Sequence, residues 1–193
     1  NGLGAGEYTS MEHYWDEGYG YLYGYNNEHV GGTDNNTNGP AEGKGVLLNK
    51  YLKKVNEGSH PGIANVIYDA FKLGRAAIVA GEYSLRDEQA AIIKVELSKV
   101  VGAKAASYLR SGSGHVSNNN MASAFHSLSE GYGFIFSLQY TQKADGTPYM
   151  TYDEVNAKLA DLDAGNGFWD RTAAELTAMA DAIDAATGIN TNL

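Results

Sequence analysis

The chain has 193 residues, 43% of them hydrophobic and 19% charged, with a formal net charge of −9 and no cysteine. That length supports one well-buried core or two small ones. Sparse, scattered basic residues argue against nucleic acid or an anionic membrane as partner, and the lack of cysteine excludes disulfides, thiolate metal sites and thiol nucleophiles from this segment.

Residues 1–9 are Gly-rich and aperiodic. Thr9 or Ser10 can cap a first helix, with Glu12 in its first turn, and the pattern carries that helix over residues 10–25. Residues 26–45 are dense in Asn, Gly, Thr and Asp, contain Pro40, and read as a long loop. Within it Asp34, Asn35, Asn36 and Asn38 offer oxygens that calcium could use, but their spacing fits no EF-hand. A solvated loop is the simpler reading, for these residues, for His29 and for the sequon at Asn35.

A short helix is predicted over 46–56. A longer one starts at Pro61, which suits a first helical turn, carries a core-like stripe of Ile63, Ile67, Ala70, Phe71, Gly74 and Ile78, and ends at Gly81. Ser84 then caps a helix over 85–109, and residues 111–119, with His115, read as a polar loop. A further helix covers 120–142, Asp145-Gly146-Thr147-Pro148 forms a turn, and Thr151 with Glu154 makes a capping box opening a helix to about Leu162. The last helix runs over 171–186 and stops at Gly188. Alternating β-branched runs are essentially absent, and no apolar run approaches the ~20 residues of a membrane span. The expected class is all-α, an antiparallel helical bundle of six to seven helices.

Two of those helices carry the same text. His13-Tyr14-Trp15-Asp16-Glu17-Gly18-Tyr19-Gly20-Tyr21-Leu22-Tyr23 recurs as His126-Ser127-Leu128-Ser129-Glu130-Gly131-Tyr132-Gly133-Phe134-Ile135-Phe136, a pseudo-repeat that points to duplication. On a helix His13 and Glu17 share one face, as do His126 and Glu130. An apolar stripe lies opposite: Met11, Tyr14, Trp15, Tyr19 and Leu22 in the first copy, and Phe125, Leu128, Tyr132 and Ile135 in the second. Glycine inside a helix costs about 1 kcal/mol relative to alanine, so Gly18, Gly20, Gly131 and Gly133 suggest close approach of a partner helix. The tyrosines at 14, 19, 21, 23 and 25 read as a helix buried on most sides, with an open aromatic groove for haem or sugar as the alternative.

Side by side, the two helices would offer His13, Glu17, His126 and Glu130 to a divalent metal such as iron or zinc, with Asp16 as an additional carboxylate. The competing reading is that each histidine bonds its own glutamate and fixes packing, since buried polar groups need partners. Familiar catalytic signatures, the His-Glu-x-x-His helix and the Gly-x-Ser-x-Gly elbow, are missing. Glu57-x-x-His60, the one match to a di-iron spacing, straddles Gly58 and Ser59 just before a proline. Glu12 with Asp16, or Asp16 with Glu17, reads as a solvated acidic edge before it reads as an acid/base pair.

The segments MEHYWDEGYGYLYG, LGRAAIVAGEY, HSLSEGYGFIFSLQY and the final FWD, in that order, resemble the imelysin-like superfamily, closest to a branch of unknown function among Gram-negative envelope lipoproteins. The resemblance spans nearly all of residues 1–193 as one domain, aligned to the later part of a longer precursor. It implies pseudo-symmetric helical bundles, exposure in the periplasm or at the cell surface, and an association with iron acquisition. The family's Gly-x-His-x-x-Glu motif maps onto His13, but Met11 stands for its Gly and Asp16 for its Glu, with Glu17 one step on. The function expected is a non-enzymatic envelope protein associated with metal or haem. The rivals are a single-metal hydrolase with Glu17 or Asp16 as general base, and a helical interaction module whose His–Glu pairs are structural.

Overall fold

A computed structural model describes residues 7–23 and 48–192. Among them stand seven α-helices and no strand: α1 (Ser10–Tyr23), α2 (Leu48–Glu57), α3 (Ile63–Ala80), α4 (Tyr83–Ser117), α5 (Met121–Ser137), α6 (Tyr152–Asp163) and α7 (Ala173–Thr187), with short 3-10 turns at Leu138–Tyr140 and Gly167–Asp170. The all-α expectation holds. The long loop, with His29, Asp34, Asn35, Asn36, Asn38 and Pro40, lies outside the described residues, as does Tyr25.

Two compact units divide the chain, residues 1–57 with 61–96, and residues 58–60 with 97–193. In the first, α1 and α2 both pack on α3. The stripe of α3 is buried as its spacing requires, Ile63, Ile67, Ala70, Phe71 and Ile78 facing Leu22, Tyr23, Leu52 and Val55 in the core. Burying an Ile, Leu or Phe contributes roughly 1.5–3 kcal/mol relative to leaving it exposed. The helix starts two residues after the predicted Pro61 because Asn56 reaches back from α2, its Oδ1 accepting from the N–H groups of Gly62 and Ala64 at 3.0 and 3.1 Å. It ends at Gly81 as expected: the Gly81 and Glu82 N–H groups donate to the carbonyls of Ile78 and Ala77, satisfying two orphan acceptors.

In the second unit Leu109, Leu128, Ile135, Leu162, Leu176 and Ile183 are the centre of one apolar cluster. The polar loop predicted over 111–119 is instead the last turns of α4, and tertiary packing explains the difference. Gly112 leaves the space that the Leu128 side chain fills. Ser113 Oγ donates to the Ala173 carbonyl and pairs with Thr177 Oγ1, both at 2.9 Å. Ser and Gly, which weaken an isolated helix, are here the residues small enough to seat α5 and α7. His115 is accordingly half-buried within α4 rather than solvated in a loop. The helix ends at Ser117; Asn119 beyond it takes a left-handed φ of 56°, while the Asn119 and Asn120 N–H groups close on Val116 and His115.

Asn120 then caps α5, its side chain accepting from Ser123 N. The predicted span of 120–142 is too long: α-helix gives way at Leu138 to one 3-10 turn, and Thr141 is already extended. The turn at Asp145 and the capping box of Thr151 and Glu154 are both present. A second box, Thr172 with Glu175, starts α7 at Ala173, two residues later than predicted.

Candidate functional site

On α1, His13 Nε2 lies 3.2 Å from Glu17 Oε1, with both side chains half-exposed. Tyr8 stacks on the imidazole, ring centroids 5.4 Å apart and planes 15° apart. This histidine therefore meets its own glutamate across one helical turn and a phenol ring over its face.

Asp16 turns to a different partner. Its Oδ1 accepts from Arg75 Nε at 2.9 Å, while Arg75 Nη1 donates to Glu12 Oε1 at 2.7 Å. Glu12 also closes a capping box with Thr9, accepting from the Thr9 N–H while its own N–H donates to Thr9 Oγ1. The Thr9 N–H first, then the Thr9 hydroxyl and the Arg75 guanidinium, hold its carboxyl below the usual range. The acidic edge is thus tied across to α3 by Arg75.

The apolar face of α1 is narrower than expected. Trp15 and Tyr19 face α3, and Leu22 and Tyr23 are buried, but Tyr14 and Tyr21 remain 68% and 82% exposed, so the tyrosine-rich helix is not buried on most sides. The Trp15 indole N–H donates to the Phe71 carbonyl at 2.9 Å, and the indole occupies the place where a Cβ at Gly74 would stand.

On α5 the matching face is open. His126, Ser129, Glu130, Gly133, Phe134 and Ser137, spaced three and four apart, line a groove of about 450 Å³. The other side of the helix is buried through Ala124, Leu128, Gly131 and Ile135. Phe134 is braced by Tyr108, stacked at 5.7 Å and 21°, and the Lys104 ammonium stands 4.4 Å from the centre of the Tyr108 ring, close enough for a cation–π attraction. Phe125 packs against Phe168 and Trp169, and Tyr132 donates to Asp163 Oδ2 at 2.9 Å. The ring contacts join the second motif to the FWD segment, and the Tyr132 bond joins it to the end of α6.

Of the motif glycines only Gly131 marks the close helix approach expected from the sequence, its α-carbon facing the backbone of α4 at Tyr108 and Leu109. A Cβ at Gly18, Gly20 or Gly133 would meet none of the described residues within 4 Å. Close approach happens also at Gly74 and Gly112. At Gly133 the missing side chain leaves the groove open.

His13 and Glu17 belong to the first unit, His126 and Glu130 to the second. Among the described residues no group of three or more His, Asp or Glu side chains is placed to hold a metal ion. Glu57 ends α2 with its carboxylate 3.8 Å from Lys53 Nζ, and His60 follows in the turn before α3.

A family model described as "Domain of unknown function (DUF4856)" matches residues 3–190. No curated protein and no solved structure matches the chain.

Proposed function

The chain belongs to the DUF4856 family, and from that premise we propose a non-enzymatic binding protein of the bacterial envelope, similar to the imelysin-like proteins, that engages haem through the open face of α5 and serves iron acquisition. The observation that carries the reading is the groove itself, an exposed imidazole at His126 beside Glu130, a bare backbone at Gly133 and a braced ring at Phe134.

The donor set distinguishes haem from a bare ion. A bare iron or zinc ion held by protein alone wants three or four ligands, and no such group is gathered among the described residues. A haem iron already has four porphyrin nitrogens and is commonly held by one histidine. His126 would supply that nitrogen, Gly133 leaves room for a flat macrocycle, and Phe134 offers an apolar face. The groove falls within the ~300–1,000 Å³ range of small-molecule sites. Hydrolysis is the weaker alternative, since Asp16, one of its two candidate bases, is engaged by Arg75.

Hemin titration followed by its Soret absorbance tests the proposal. Saturable one-to-one binding is expected, weakened tenfold or more by His126→Ala and little changed by His13→Ala. Equal binding by wild type and His126→Ala would refute it. Elemental analysis of the protein before hemin is added reports whether it carries a metal ion of its own.

A further inference from the structure

A second cleft, confined to the first unit, has a different chemistry. Its walls are aromatic: Trp15 and Tyr19 from α1, Tyr68 and Phe71 from α3. Its rim is charged, with Asp16, Lys72 and Arg75. The volume is about 280 Å³, just below the ~300–1,000 Å³ range of drug-sized sites, which allows one ring and excludes a macrocycle.

The walls are rigid. Trp15 is fixed by its bond to the Phe71 carbonyl and by its seat over Gly74. Tyr19 meets Phe71 edge-on at 5.6 Å and 85°, and Tyr68 lies 6.5 Å from Tyr19. The rim carries both signs of charge: Arg75 bridges Glu12 and Asp16, and the Lys72 ammonium stands 5.4 Å from the centre of the Tyr68 ring. A permanent cation would be opposed by Lys72 and Arg75, and a strong anion by Asp16 and Glu12. A neutral ring with one apolar face and many hydroxyls meets no such opposition.

We infer that this cleft binds a pyranose ring, either a free monosaccharide or one residue of a saccharide chain. The C–H face of the sugar would lie against the aromatic walls. Its hydroxyls would donate to the half-exposed carboxylate of Asp16 and accept from the cations on the rim.

Trp15 reports on the cleft directly once Trp169, the other tryptophan, is replaced. In a Trp169→Phe background, emission is followed while glucose, galactose, mannose and N-acetylglucosamine, and a linear tetrasaccharide of each, are added. At least one ligand should give a saturable change. Asp16→Asn and Tyr68→Leu, each with unchanged far-UV dichroism, should raise the apparent Kd tenfold or more. A response to tetrasaccharides alone identifies a saccharide chain as the ligand, and a response to monosaccharides identifies the free sugar. No response from the folded protein to any of the eight, or equal affinity in all variants, overturns the inference.

Discussion

The Trp15 indole stands where a side chain at Gly74 would have to go. Helix propensity alone favours alanine over glycine by about 1 kcal/mol, whereas overpacking a fixed contact costs typically 1–3 kcal/mol. The indole is held by a hydrogen bond to Phe71 and cannot move aside without losing it, so the clash wins. Gly74→Ala should lower the urea midpoint. Gly18→Ala, whose Cβ meets none of the described residues, should raise it, with a gain in stability of up to about 1 kcal/mol. The two substitutions are chemically identical, and opposite signs would show that packing sets the difference.

Tyr23 is almost fully buried, and among the described residues its hydroxyl finds no hydrogen-bond partner. A buried polar group without a partner costs about 1–3 kcal/mol. Tyr23→Phe should therefore be neutral or stabilising in chemical denaturation, unlike most core substitutions. A loss of more than 1 kcal/mol would mean that the hydroxyl has a partner in the folded protein.

Burial also pushes the Tyr19 phenol up to about 12, with Tyr68 adding to the effect, and raises Tyr23 further. A phenol whose folded value exceeds its unfolded value stays protonated in the native state after the unfolded chain has released its proton. The associated stability is complete below the unfolded value near 10 and declines as pH rises towards 12. Denaturation midpoints should fall across that window, and Tyr19→Phe should flatten the decline.

Acid acts through the helix starts. Glu154 and Glu175 are held below their ordinary value of 4.5, first by the backbone N–H of Thr151 and Thr172 and then by the hydroxyls. Their contribution is present above the unfolded value and disappears as pH falls through the folded one. Glu154→Gln combined with Glu175→Gln keeps hydrogen-bonding capacity but removes the titration, and should reduce the slope of stability against pH below about 4.5.

The sequence told the helices apart where local rules and tertiary packing agree. The α3 stripe, the Thr151–Glu154 box and the stops at Gly81 and Gly188 could all be read from spacing and capping chemistry. It failed at residues 111–117, where Ser and Gly look like a loop until Leu128 and Thr177 are seen to need their small size. Gly18, Gly20 and Gly133 misled for the converse reason, while Gly131 did mark a close contact: a helical glycine marks a close contact or an open surface, and only the neighbours decide which. Arg75 was hidden because its partners, Glu12 and Asp16, lie about sixty residues earlier. The His–Glu spacing did place each pair on one face, but nothing in it foretold that His13 would sit under Tyr8 while His126 lines an open groove.

The central claim is that haem meets the chain on the outer face of α5. Gallium protoporphyrin, diamagnetic and close to haem in shape, makes the site visible by amide NMR through ring-current shifts. On titration, the largest shifts should fall on Ser129, Glu130, Gly133 and Phe134 and should vanish in His126→Ala. Shifts concentrated around His13, or none above the noise at saturating ligand, would contradict the account.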